Sequence, residues 1–72
     1  MMEKVILYGA HGCPMCAALG EMLKYHGIKY EKNEDTEYMI QQGFDSIPML
    51  ELENGDRLNY GQALKYLNNL GA

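Results

Sequence analysis

Val5-Ile6-Leu7-Tyr8-Gly9-Ala10-His11-Gly12-Cys13-Pro14-Met15-Cys16 is the stretch from which the rest of the chain can be read. Lys4 to Tyr8 is a short, mostly apolar run, the pattern of a strand buried on both faces. Gly9 to Gly12 is a loop. Pro14 then stands where a helix opens, since a missing N–H costs nothing at the first helical position. Met15, Leu19, Met22, Leu23 and His26 recur at spacings of three and four, and Gly27 is a helix stop.

Outward from this stretch, Ile28-Lys29-Tyr30-Glu31-Lys32 alternates as a second strand. A strand, a helix and a strand within about 30 residues form a crossover unit with parallel strands. Asp35 or Thr36 can cap a short second helix through Met39 and Ile40, ending at Gly43. Ile47 to Leu52 reads as a third strand and Asp56 to Tyr60 as a fourth, with Asn54-Gly55 predicting a type I′ hairpin. Tyr60, Ala63, Leu64 and Leu67 then recur at helical spacing, Leu70 extends the stripe and Gly71 ends it. The expected order is β-α-β-α-β-β-α, an α/β fold with a four-stranded mixed sheet flanked by three helices. Tyr8, Met22, Leu23, Met39, Leu64 and Leu67 are the expected core.

The 72 residues leave room for one small domain with a modest core, and 47% apolar content makes packing its source of stability. The only two cysteines close a short ring and can staple nothing distant. A secreted disulfide scaffold needs more cysteines at wider spacing. Met1-Met2-Glu3-Lys4 leads straight into the first strand, so no secretory leader is expected, and no apolar stretch approaches a membrane span. A reducing cytoplasm fits best. A net charge of −4 argues against nucleic acid as a partner.

A Cys-x-x-Cys opening a helix after a strand points to thiol–disulfide exchange. A free cysteine has a pKa of about 8.5, and a helix N-terminus can lower it to roughly 3.5–7.5. Unpaired N–H groups and the helix dipole favour a thiolate at Cys13, which becomes the nucleophile. Cys16, one turn in, can reach the same point and resolve a mixed disulfide. Pro14 stiffens the turn, and Met15 places an apolar surface beside the sulfur. His11, two residues before Cys13, can stabilise the thiolate or shuttle its proton, and it also reads as a solvated loop residue. Two other readings of the pair stay open. The cysteines can be inert, or they can be half of a metal site. His11 and His26 would complete a four-ligand set, but His26 lies about 15 Å along a continuous helix from Cys16.

Ser46-Ile47-Pro48 is the second informative element, a proline opening a strand. Cys13-Pro14-Met15-Cys16 after a strand, Ile47-Pro48 before another, and the element order together resemble a glutaredoxin, over nearly the whole chain. The resemblance implies a thioredoxin-like fold in a single domain over 1–72. It implies a dithiol–disulfide oxidoreductase that reduces protein or glutathione mixed disulfides through Cys13 and Cys16. It further implies that Pro48 is cis and faces the cysteines, and that the backbone at Ile47 pairs with a bound substrate like an added strand. Met15, Ile47, Pro48, Gly61 and Gln62 become the substrate-binding residues, with His11 and Pro14 modulating.

The chain departs from the family pattern in places. Met15 stands where many members have tyrosine, and Ala10 where many have lysine. Asn59-Tyr60-Gly61-Gln62-Ala63 carries no carboxylate where the family receives the amine of glutathione. A related group of redoxins, similar in sequence, lacks that acidic clamp and passes electrons from thioredoxin reductase to ribonucleotide reductase. Glutathione as co-substrate and thioredoxin reductase as electron source are therefore both open. A monomer is expected, with no tightly bound cofactor or metal. An iron–sulfur or zinc site bridging two chains is the alternative of a different class.

Overall fold

Capping chemistry places the helices, and the remaining apolar runs pair between them. The computed structural model of the protein describes residues 5–70. Its elements are β1 (Val5–Tyr8), α1 (Pro14–Tyr25), β2 (Tyr30–Asn33), α2 (Thr36–Gln41), β3 (Met49–Glu51), β4 (Arg57–Leu58) and α3 (Tyr60–Leu70). The start of the first strand at Lys4, the reading of Met1–Lys4 and the stop at Gly71 lie outside the described residues. Cys13 caps α1 and Pro14 occupies its first turn, while Asp35 caps α2 by accepting the Tyr38 N–H. α1 ends on Gly27, at φ +73°, with Gly27 N–H bonded to Lys24 C=O and Ile28 N–H to Leu23 C=O. That pair of bonds is the Schellman closure. Gly43 and Phe44 close α2 with the same pattern, onto Ile40 and Met39.

The strands lie in the order β2-β1-β3-β4. β1 runs parallel to β2 and antiparallel to β3, and β3 runs antiparallel to β4. Leu7 pairs with Leu50, and Leu50 with Leu58, so these three share one face. On that face Val5, Leu7 and Leu50 join Leu19 and Leu23 of α1 and Ala63 and Leu67 of α3 in the core cluster. Leu19, Leu23, Leu50 and Leu67 are fully buried, and each such side chain contributes about 1.5–3 kcal/mol of transfer free energy. Tyr8 turns its ring to the other face, 5.0 Å from Phe44 and 5.9 Å from Tyr38 of α2 between centroids. Its hydroxyl donates to Glu51 (3.1 Å). The Arg57 guanidinium donates to the same carboxylate oxygen (2.9 Å) and to Gln42 (3.0 Å), and lies over the Phe44 ring. Burial and the neighbouring Glu51 charge push the Tyr8 phenol well above its usual range.

Several expectations are corrected. β2 starts at Tyr30 rather than Ile28, because the Ile28 N–H is spent closing α1. β3 starts at Met49 rather than Ile47, since Pro48 has no N–H for the ladder. The hairpin is not type I′. Among the described residues none but glycine has positive φ, so Asn54 cannot meet that turn's demand, and within the turn Gly55 alone is left-handed, at φ +95°. Gly55 N–H bonds Leu52 C=O and Leu52 N–H bonds Asp56 C=O, giving a three-residue loop. β4 stops at Leu58 rather than Tyr60, because the Asn59 N–H is taken by the Gln62 side chain. In α1 the buried stripe is Cys16, Leu19, Gly20 and Leu23, while Met15 faces solvent. In α3 Ala63 and Leu67 are buried, Leu64 is half-buried and Leu70 is exposed. Tyr8, Leu23, Met39 and Leu67 are buried as expected, and Met22 packs against the cluster. Among the described residues, no helix is long and apolar enough to cross a membrane.

Topology brings several chain ends together. β1, β2 and β4 point the same way, so α1, which follows β1, and α3, which follows β4, both start at one end of the sheet. β3 runs the opposite way and begins there.

Candidate active site

The site is built on the turn from β1 into α1. Cys13 has extended backbone (φ −86°, ψ 114°), so its side chain folds over the first helical turn instead of joining the helix wall. Its Sγ accepts the Cys16 N–H at 3.3 Å, one of the donors a helix start leaves without a backbone partner. The Cys13 carbonyl accepts the Ala17 N–H, and the Cys13 N–H is tied to Ala10 C=O, so the loop holds the sulfur from both sides. Cys13 is half-buried and Cys16 is fully buried, and both are free thiols.

The two sulfurs are unlike in acidity. The Cys13 thiol is lowered, first by the hydrogen bond it accepts from the Cys16 thiol, then by the Cys16 backbone N–H. Burial and that same bond raise Cys16. One sulfur is therefore the more accessible and the more thiolate-prone, and the other is buried and less acidic.

Gly9, which opens the loop, leaves room for the Cys16 sulfur. A Cβ there would fall 2.6 Å from the Cys16 Sγ and 3.0 Å from its Cβ. Gly9 does not have positive φ. Its glycine is needed for the room it leaves the sulfur rather than for its backbone conformation. The signal was present only as a small residue where the strand meets the loop. Lys32, expected only as the end of the second strand, lies within β2. Its charge acts on both sulfurs in favour of the thiolate.

The remaining expected site residues gather at the same end of the sheet. Tyr8 pairs with Met49, which sets Pro48 level with Gly9. The Ile47–Pro48 bond is cis, as the resemblance implies; Pro48 is buried and Ile47 is exposed beside it. Met15 is 46% exposed and Ile47 38%, so two apolar side chains remain in solvent at the cysteine end. Pro14 and His11 are exposed, and among the described residues His11 makes no hydrogen bond to either sulfur. Gly61 and Gln62 lie at the head of α3. Gln62 is occupied structurally: its Oε1 accepts the Asn59 N–H (2.9 Å) while its own N–H donates to Asn59 Oδ1 (2.8 Å). This is a reciprocal capping box, a role the sequence reading did not assign. A Cβ on Gly61 would make only an ordinary contact, 3.7 Å from Asn59 Oδ1.

His26 caps the far end of α1 from Cys16. Among the described residues, no three of His, Cys, Asp and Glu converge as a metal would require. A cavity of about 430 Å³ lies at the opposite end of the sheet, lined by Val5, Leu23, Ile28, Leu50, Tyr66 and Leu70 among others. Glu53 and Asn54 also line it, and neither cysteine does. Compared with protein-family models, with curated proteins and with solved structures, the chain gives no match.

Proposed function

We propose that the protein is a glutaredoxin-like dithiol–disulfide oxidoreductase of thioredoxin-like fold, acting through Cys13 and Cys16. The observation that carries this reading is the pair itself. An accessible Cys13 Sγ caps a helix and accepts the Cys16 backbone N–H, and a buried, less acidic Cys16 thiol lies one turn into that helix. In the first step the Cys13 thiolate attacks one sulfur of a substrate disulfide. A Cys13–substrate disulfide forms, and the other substrate sulfur leaves as a thiolate that takes up a proton. Cys16 then loses its proton, and its Sγ attacks Cys13 Sγ. The Cys13–Cys16 disulfide forms and the second substrate thiol is released. The substrate gains two electrons and the protein loses them.

Met15 and Ile47 supply apolar contact for the disulfide-bearing partner, and the backbone at Ile47 is open to an extended segment. Two thiols of glutathione, or a thioredoxin reductase, would restore the dithiol. The engaged Gln62 oxygen and the lack of a carboxylate across Asn59–Ala63 favour the reductase over a glutathione clamp. Two cysteines that can pair only with each other suit a reducing compartment such as the cytoplasm.

Oxidised protein offered glutathione with glutathione reductase, beside NADPH with thioredoxin reductase, tests the reading. Alkylation of the freed thiols reports turnover. Reduction by either system, lost in Cys13→Ser, is expected. No reduction by either would overturn it.

A further inference from the structure

We propose that the outer edge of β2 is a docking edge, which takes an extended acidic segment of a partner protein as an added strand. The inference goes beyond the thiol-exchange reading and does not use the cysteines. β2 ends one side of the sheet in the order β2-β1-β3-β4, so β1 is the strand it pairs with. The Asn33 carbonyl accepts the Gly9 N–H at 3.0 Å, which turns the backbone groups of Asn33 toward β1. Backbone groups alternate along a strand, so Glu31 also faces β1, while Tyr30 and Lys32 present N–H and C=O outward. Among the described residues, no turn, cap or side chain bonds those four outward groups. An open edge of this kind is a template for another strand.

Charge selects the partner. Lys24, Ile28, Lys29, Tyr30 and Lys32 line one open depression beside this edge. Tyr30 and Lys32 pair with Val5 and Leu7, which lie on the face α1 covers, so the depression spans the gap between β2 and the last turn of α1. Three of the chain's six cations meet there although its net charge is −4, and among the described residues no carboxylate lines it. Lys24 stands 4.0 Å from Glu21 and Lys32 3.2 Å from Glu34, while Lys29 is in no ion pair among the described residues. Exposed pairs of this kind are weak and can be exchanged for a partner's carboxylates. Ile28 and Tyr30 add half-buried apolar surface beside the ammonium groups.

The occupant is therefore an extended segment with acidic side chains at alternate positions. Its backbone pairs with Tyr30 and Lys32, and its carboxylates meet Lys24, Lys29 and Lys32. A second copy of this chain fits less well. Two-fold antiparallel pairing about the middle of β2 sets Glu31 against its own copy or Lys32 against its own, and like charges directly opposite are destabilising. Lysines on an edge can also serve only to keep other strands away, and that role entails no binding.

The experiment titrates the reduced, full-length chain with a short peptide alternating glutamate and valine, followed by the amide resonances in NMR. Saturable shifts at the Tyr30 and Lys32 N–H are expected. Each of Lys24→Gln, Lys29→Gln and Lys32→Gln weakens binding roughly 1.5–5-fold, the worth of one exposed charge pair. In 1 M salt binding falls, because the screening length shrinks to about 3 Å. The peptide with lysine in place of glutamate does not bind, and N-methylation at alternate residues, which removes the ladder N–H groups, abolishes binding. Thermal unfolding confirms that each variant is folded. Unmoved Tyr30 and Lys32 resonances, binding indifferent to the peptide's charge, or binding that survives N-methylation overturns the inference. Self-association in sedimentation that is lost in Lys32→Gln also overturns it, by giving the edge to a second copy. Cys13→Ser is expected to bind the peptide as the parent does, so loss of disulfide turnover leaves this test standing.

Discussion

Gly9→Ala is the most direct probe of how the cysteines are held. The added Cβ would stand 2.6 Å from Cys16 Sγ and 3.0 Å from Cys16 Cβ. Ordinary contacts between carbon atoms sit at about 3.5–4.0 Å, so the overlap with the larger sulfur is roughly 1 Å. Cys16 cannot simply retreat, because it lies in the buried stripe with Leu19, Gly20 and Leu23. Overpacking of this kind costs about 1–3 kcal/mol. Against it stands a gain of about 0.4–1 kcal/mol, since alanine narrows the unfolded ensemble and the Gly9 backbone does not have positive φ. The net expectation is a loss of about 1–2 kcal/mol for the reduced protein, on the order of 4–8 °C in Tm per kcal/mol for a chain of this size. In a Cys16→Ala background the sulfur contact vanishes and only the 3.0 Å contact remains. Gly9→Ala should then cost less by about 1 kcal/mol, a coupling typical of touching residues. Urea unfolding of the four proteins in reductant gives the cycle. Equal costs in the two backgrounds would refute the idea that Gly9 exists to make room for the Cys16 sulfur.

Other consequences are equally concrete. Cys16→Ser should leave the first attack intact and trap the Cys13–substrate disulfide, seen as a mass adduct removed by dithiothreitol. Asn59→Ala removes half of the capping box on α3 and should cost about 1 kcal/mol in urea unfolding. In pH, the lowered Cys13 should alkylate well before the raised Cys16. The sign for stability follows. Cys16 is raised on folding, so its contribution is present below the unfolded thiol value of about 8.5 and is lost as pH rises through the folded value. Cys13 acts in the opposite sense, stabilising above the unfolded value and losing that effect as pH falls through its own. A reduced protein whose Cys16 alkylates first would contradict the assignment of nucleophile and reserve.

Much of the architecture could be read from residues close together in the chain. Pro14, Gly27 and Asp35 mark helix boundaries through bonds that span no more than a turn, and those marks agree with α1 and α2. Strand boundaries were less legible. Whether Ile28, Ile47 or Asn59 extends a strand depends on competing uses of one N–H or on its absence. At Asn59 the competitor was a capping side chain three residues on.

The cysteine pair and its position at a helix start were determined by sequence alone, because the spacing of two and the proline act within one helical turn. The order β-α-β-α-β-β-α was determined likewise, since periodicity is a local property. The tertiary structure decided which side of α1 is buried, and it chose Cys16 over Met15, burying one sulfur and leaving a methionine in solvent. It also decided that Gly9 faces that sulfur and that Lys32 of β2 shares one depression with Lys24 of α1. These are contacts between residues on different elements. Strand register and helix rotation create them, and no short window of sequence contains either.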